Sequence, residues 1–247
     1  TRTRTRTHTH THREFGEAVG IAENFVIFDT SQQKEIIEQV MGALQISTET
    51  LKPAQVLSTI SRLKSEGLGH EGVENSKALA LVGQKSEQQK ASHAKYLKTI
   101  ANVYELYQAE LQRSNAVDFD DLLLKAKQLL ETSPETRAVL RDRWRHVLVD
   151  EWQDTNTPQY ELVKLLAADG SDTSVLVVGD ADQSIYGFRG ADIRNMHRLW
   201  PVSLGHLGSR GGPYFCTRPA ACSAALAAML VSAMVDKASR VVCTAVP

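Results

Sequence analysis

The chain has 247 residues and a mass of 27.3 kDa, enough for one large domain or two small ones with a sizeable core. Hydrophobic residues make up 42% and charged residues 23%, the balance of an ordinary globular domain, which excludes wholesale disorder, and aromatics at 6% argue against a carbohydrate or aromatic-cage binder. With 28 Lys and Arg against 29 Asp and Glu the net charge is -1, so no global field draws nucleic acid or anionic lipid and any DNA contact has to be local.

The two ends differ from the middle. Residues 1–12 read TRTRTRTHTHTH, a low-complexity alternation with no apolar position, predicted to stay disordered and outside any packed fold. A tandem CA-dinucleotide repeat translated in frame encodes such Thr-His alternation. His8, His10 and His12 would share one face of an extended strand, but no carboxylate or Cys accompanies them as a metal site requires. After about Met196 the acidic residues shrink to Asp236, Gly and Pro cluster over residues 205–219, and an Ala-rich stretch follows. Pro219 to Val235 is uncharged but short of the roughly 20 apolar residues that span a bilayer; a helix over Ala220 to Val235 is expected there and little else. Cys216, Cys222 and Cys243 form neither a disulfide framework nor a zinc spacing, which fits a reducing compartment.

In chain order, Ile36, Ile37, Val40 and Leu44 predict a helix over residues 31–45, with Ser31 as its cap. Val56, Leu57, Ile60 and Leu63 predict another from Pro53 to Glu66, ended by Gly67. A long stripe of Tyr96, Leu97, Ile100, Val103, Tyr104, Tyr107 and Leu111 predicts a helix from Ser86 to Arg113 with that face in a core. From Asp118 the run DFDDLLLKAKQLLE is an acidic helix start that suits the helix dipole. Arg137, Arg141, Arg143 and Arg145 form a basic cluster, read as an exposed helix face or a phosphate contact.

Two short apolar runs then end in acid. Residues 146–149 (HVLV) stop at Asp150-Glu151, and residues 175–178 (VLVV) stop at Gly179-Asp180. Between them Thr157-Pro158 opens a helix carrying Leu162, Val163, Leu165 and Leu166, so the order is strand, helix, strand. Both strands are predicted to be parallel with their carboxyl ends side by side, the edge where open α/β sheets bind ligands. Asp150 at such an edge suits Mg²⁺, a hard cation that takes oxygen ligands. Glu151, one residue on, suits a group that accepts a proton from, or orients, a water attacking a phosphoryl group. Tyr186 and Phe188, two apart in a Gly-flanked loop, would face the same way in an extended chain and offer a platform for unpaired bases. Arg189 beside them suits phosphate or an acidic neighbour.

Residues 150–156 (DEWQDTN) and 178–191 (VGDADQSIYGFRGA) resemble motifs II and III of the UvrD/Rep/PcrA family of superfamily-one DNA helicases. Residues 24–33 (NFVIFDTSQQ) and 118–123 (DFDDLL) are similar to that family's linking sequences, so the resemblance covers roughly residues 13–196. It implies an α/β chain: a partial RecA-like P-loop NTPase domain with a parallel sheet and a mainly α-helical inserted subdomain. Its expected parts are the start of the helicase region at 13–48, the helical insertion at 49–117, the ATPase segment at 118–196 and an atypical tail, not native helicase sequence, at 197–247. The implied cofactors are ATP and Mg²⁺, with Asp150 binding the metal, Glu151 activating the water and Gln183 sensing the γ-phosphate. Tyr186, Phe188 and Arg189 would meet the tracked strand, Phe188 standing where many relatives carry Trp, and Trp152 standing where Phe or Tyr is usual. The implied activity is ATP hydrolysis coupled to 3′ to 5′ translocation on single-stranded or partly duplex DNA and its unwinding, in repair or replication, in an intracellular DNA-containing compartment and without a membrane.

The departures are as specific. No G-x-x-x-x-G-K-[ST] loop occurs, since residues 83–86 (GQKS) lack the adjacent Gly-Lys and the earlier Gly. The adenine-contacting Gln segment, the Asn-Tyr-Arg-Ser motif and the second motor domain's arginine motifs are missing too. The expectation is a helicase fragment inactive by itself; the alternative is a catalytically inactive single-stranded DNA or protein binder.

Overall fold

The protein is described by a computed structural model covering residues 11–80, 86–167, 173–198, 213–216 and 241–245. It divides into two compact units, residues 20–124 and residues 1–19 with 125–247.

The 20–124 unit is mainly helical. Strand β1 (Val26–Ile27) leads to α1 (Thr30–Ala43). Its cap is Asp29, not Ser31: the Asp29 side chain accepts from the backbone of Ser31 and Gln32, and Gln32 returns the bond to complete a capping box. Helix α2 (Pro53–Ser65) has Pro in its first turn, and Gly67 beyond its end takes φ 79°, the left-handed exit that glycine allows. Helix α3 (Glu87–Arg113) starts on a capping box of Ser86 and Gln89. Asn115 turns the chain into β2 (Ala116–Val117), which pairs parallel with β1, and α4 (Phe119–Thr132) follows. The core joins Ile37 and Met41 of α1, Val56, Ile60 and Leu63 of α2, and Ile100, Val103, Tyr104, Tyr107 and Leu111 of α3. The predicted α3 stripe is therefore core, each such side chain stabilising the unit by roughly 1.5–3 kcal/mol on burial.

The acidic start of α4 does more than complement a dipole. Asp118 Oδ1 accepts from the Asp121 amide at 2.8 Å, and both carboxylates close on Lys64, whose ammonium lies 2.6 Å from Asp118 and 2.8 Å from Asp121 and is fully buried. Gln108 and the Tyr107 hydroxyl complete the cluster. Burial alone pulls the Lys64 pKa down, but Asp118 and Asp121 overcome it and hold the ammonium above its usual value. Burial likewise raises Asp118, yet the Lys64 charge and hydrogen bonds prevail and hold that carboxyl below its ordinary range. Asp121 is pushed up, by burial and by Asp118. Asp120, bonded to Ser61 at 2.6 Å, is raised to about 6 by burial and by Asp118.

The second unit is built on a parallel sheet. Helix α5 (Pro134–Arg143) is capped by Ser133 and precedes β3 (His146–Asp150); α6 (Thr157–Leu166), with a capping box of Asn156 and Gln159, leads to β4 (Ser174–Val178). Short helix α7 (Asn195–Arg198) and strands β5 (Pro213–Cys216) and β6 (Val241–Ala245) complete the described elements. The sheet order is β5-β4-β3-β6 and every pairing is parallel. Val147, Leu148 and Val149 of β3 and Val175, Leu176 and Val177 of β4 are buried, as strands covered on both faces are.

Three expectations need correction. Residues 11–15 are helical, and Thr11 and His12 are buried, so His12 is neither extended nor outside the fold; Glu14 pairs bidentately with Arg143, whose guanidinium lies over Phe15, and these contacts hold the segment in place. Residues 1–10 lie outside the described residues. The tail contributes more than a helix, because β5 and β6 extend the sheet through main-chain pairing that needs no amphipathic pattern; the helix expected at Ala220 to Val235 lies outside the described residues. The arginine cluster faces its own chain: Arg137 donates to Leu130 O, Arg141 twice to Leu165 O, and Arg143 to Glu14. Two of these acceptors are last-turn carbonyls that the helices themselves leave unpaired. Among the described residues no helix is long and apolar enough to cross a membrane.

Candidate functional site

The register places Val149 of β3 opposite Val177 of β4, so the two strands end together, at Asp150 and at Gly179-Asp180. Asp150 is exposed, and its Oδ1 accepts from the Glu151 amide at 2.9 Å. Glu151 has φ 54° and ψ 46°, the left-handed region, where a residue with a Cβ is held at a cost of roughly 1 kcal/mol. This reversal separates the direction of the Glu151 side chain from that of Asp150. Glu151 Oε2 accepts from Gln153 Nε2 at 2.6 Å, and Gln153 Oε1 accepts from the Asp180 amide at 2.9 Å. Asp180 then caps the turn Ala181–Gln183, taking the Asp182 amide on Oδ1 and Gln183 Nε2 on Oδ2 at 2.8 Å. A Cβ on Gly179 would stand 2.7 Å from Gln153 Oε1 and 3.0 Å from the Cβ and N of Trp152; only glycine admits this approach.

Trp152 is fully buried, its indole N–H donating to Asn195 O at 3.0 Å. Asn195, also fully buried, donates from its amide to Thr155 O and Oγ1, and the Asp192 amide donates to Thr155 O. The segment after the second strand is thereby fastened to the segment after the first.

The aromatic pair departs from the expected backbone. Tyr186 precedes and Phe188 lies within a 3₁₀ turn, Gly187–Arg189, rather than an extended loop, because Gly190 at φ 84° and the bonds from the Arg189 and Ala191 amides to Tyr186 O close the chain tightly. The rings nevertheless sit together, 5.9 Å between centroids at 32°. Phe188 is 73% exposed and Ile185 69%. Among the described residues Arg189 has no acidic partner; its guanidinium lies 5.5 Å from the Tyr186 centroid and 5.6 Å from that of Phe188, a cation–π arrangement.

The structure thus brings Asp150, Glu151 and Gln183 to one sheet edge and puts Tyr186, Phe188 and Arg189 on the loop that continues from it. The donor set is carboxylate and amide oxygen, which suits a hard divalent ion that keeps waters and phosphate oxygens as its other ligands. Among the described residues no group of three or more His, Cys, Asp or Glu could hold a metal alone. Sequence reasoning gave no role to Gln153, Gly179 or Asn195, each of which meets a residue far along the chain.

Comparison with known proteins covers most of the chain, this edge included. The family model for the UvrD/REP helicase N-terminal domain matches residues 6–200. The ATP-dependent DNA helicase PcrA of Leuconostoc citreum is 40% identical over 184 residues, 74% of this chain and 22% of that protein. The helicases PcrA of Staphylococcus epidermidis and Staphylococcus aureus are 38% and 37% identical over the same length, 23% of each. The chain therefore spans about a fifth of the relatives it matches, and through the matched residues it belongs to the UvrD/REP helicase family.

Proposed function

We propose that this chain forms part of the first, RecA-like motor domain of an ATP-driven DNA helicase, with residues 49–117 as its helical insertion. The observation that carries the reading is the joining of the strand-end carboxylates, through Gln153 and Asp180, to the turn that leads into the exposed Tyr186–Phe188 pair. A bound Mg²⁺ would neutralise charge on the phosphates of ATP. Asp150 is the residue to hold it, directly or through water. Glu151 orients the attacking water and takes its proton at the carboxylate. Gln183, exposed beside Asp180, is placed to meet the terminal phosphate. Tyr186 and Phe188 stack on bases of a single strand, each stacked base contributing roughly 1–3 kcal/mol, and Arg189 stiffens the pair from above. Movement 3′ to 5′, unwinding of partly duplex DNA, service in repair or replication and residence in a DNA-containing compartment follow from the same reading.

The test separates the two halves of the site. In the assembled helicase, Glu151→Gln is expected to abolish ATP hydrolysis while nucleotide binding persists, and Phe188→Ala is expected to weaken binding of a fluorescent oligothymidine by roughly 5- to 100-fold. Undiminished hydrolysis in the first variant defeats the role of Glu151, and undiminished affinity in the second defeats the platform. A second reading, single-strand or protein binding without turnover, is favoured by the lack of a G-x-x-x-x-G-K-[ST] loop in these 247 residues. Under it this chain binds the oligothymidine through Phe188 and hydrolyses no ATP.

A further inference from the structure

Gln153 is where two parts of the site meet, and it is 1% exposed. Its partners dictate the orientation of its amide: the carboxylate of Glu151 only accepts, and the backbone N–H of Asp180 only donates, so Nε2 must face the first and Oε1 the second. From Asp180 the run continues to Gln183 through Oδ2. Four residues are thus linked without a gap, Glu151 to Gln153 to Asp180 to Gln183, from the end of β3 to the turn after β4. The close approach at Gly179 leaves Gln153 little room to shift unless the end of β4 shifts with it.

We propose that Gln153 is a positioning residue of the hydrolytic site: it holds the Glu151 carboxylate and makes its position depend on the Asp180–Gln183 turn. The inference rests on Glu151 as the water-orienting group. The charge-assisted bond occupies Oε2, so one oxygen is anchored and the other is left to accept a proton. A displacement of Gln183 on meeting a phosphate pulls on Asp180, and the Asp180 amide pulls on Gln153. Glu151 is thereby set in place by the same event that brings the phosphate to it. The aromatic pair begins three residues beyond Gln183, so its loop shares the turn that Asp180 caps.

The test uses the full chain without nucleotide, so that it stands or falls apart from the assignment of hydrolysis to Glu151. The side-chain amide resonances of Gln153 and Gln183 and the exchange rate of the Asp180 amide are followed by NMR in Glu151→Ala, Gln153→Met and the double variant. Glu151→Ala is expected to move both side-chain resonances. Gln153→Met is expected to speed exchange at Asp180 by about tenfold relative to Leu176, the factor for loss of one hydrogen bond. In the Gln153→Met background, Glu151→Ala is expected to leave Gln183 where it was, the non-additivity of residues acting through one another. A Gln183 resonance indifferent to Glu151→Ala, or one that still responds when Gln153 is Met, overturns the proposal and leaves Gln153 a mere fastening of β4. Should Gln153→Met fail to fold, the response of Gln183 to Glu151→Ala decides the matter alone.

Discussion

In the 20–124 unit, Asp118 and Asp121 are buried against Lys64, while at the ends of β3 and β4 the carboxylates of Asp150, Glu151 and Asp180 are bonded by main-chain amides and by Gln153 and Gln183. The first group has its countercharge inside the fold. The second, among the described residues, pairs with no Lys or Arg, so its negative charge is oriented but not cancelled. An acid opposed by a buried lysine serves the fold, because removing either partner strands the other in a low-dielectric interior. An acid held only by neutral donors keeps its field, and a hard cation or a proton to be accepted finds it available. Charge composition alone cannot tell these apart; the identity of the hydrogen-bond donor does.

The comparison breaks most visibly at Lys64. Lys64→Met leaves two carboxylates facing one another in the core and is expected to destabilise the helical unit by about 3–5 kcal/mol, read from amide exchange at Ile100 and Tyr104. Asp150→Asn, the removal of one charge at the sheet edge, is expected to change stability by no more than about 0.5 kcal/mol. Equal costs would show that the two clusters are not different in kind.

Asp120 sharpens the contrast through pH. Its pKa in the folded unit is raised from the ordinary aspartate range to about 6, so the fold favours the protonated form. Stability from this group is therefore highest below about pH 4, falls as pH rises through 6, and stays low above it, a loss on the order of 2–3 kcal/mol. Asp120→Asn, which keeps a partner for Ser61 without the charge, is expected to flatten the decline between pH 4 and 7 in the exchange of the same amides. An unchanged slope would place the titration elsewhere in the cluster.

How much of this was readable follows from how far apart the partners lie. The α3 stripe and the acid-ended strands are local patterns, and both appear where periodicity put them. The parallel pairing of β3 and β4 followed from the helix between them. Lys64 was not readable, since it sits near Arg62 on a helix that looks solvated there and its partners come 54 and 57 residues later. The cap of α1 was missed by two positions because Asp29, Thr30 and Ser31 all suit that role and only the backbone chooses. Glu14 hid in the same way behind a repeat, its partner Arg143 lying 129 residues on. At the site, Asp150 and Glu151 announced themselves by type and place. Gln153 did not, because its task exists only once β4 lies beside β3.

Gly179 tests that last dependence at lower cost. Gly179→Ala drives a methyl to 2.7 Å from Gln153 Oε1 and 3.0 Å from the Trp152 backbone nitrogen, and the expected loss is about 1–3 kcal/mol. The loss should appear in the sheet unit, as faster exchange at Val149 and Val177, while Ile100 of the helical unit is unmoved. A neutral substitution would mean that the ends of β3 and β4 yield easily and that Gln153 is not tightly held.

Phe188 carries the smallest expected effect on stability, and for that reason the most telling one. A ring 73% exposed contributes little to a core, and its contacts with Tyr186 and Arg189 lie at the surface, where the low end of such interactions, about 0.5 kcal/mol, applies. Phe188→Ala is thus expected to shift stability by no more than about 0.5 kcal/mol in chemical denaturation followed at Val149 and Val177. A cost of several kcal/mol would reveal the ring as structural, like the Tyr107 that closes over Lys64. A near-zero cost places Phe188 with Asp150, a residue whose exposure the fold maintains without drawing stability from it.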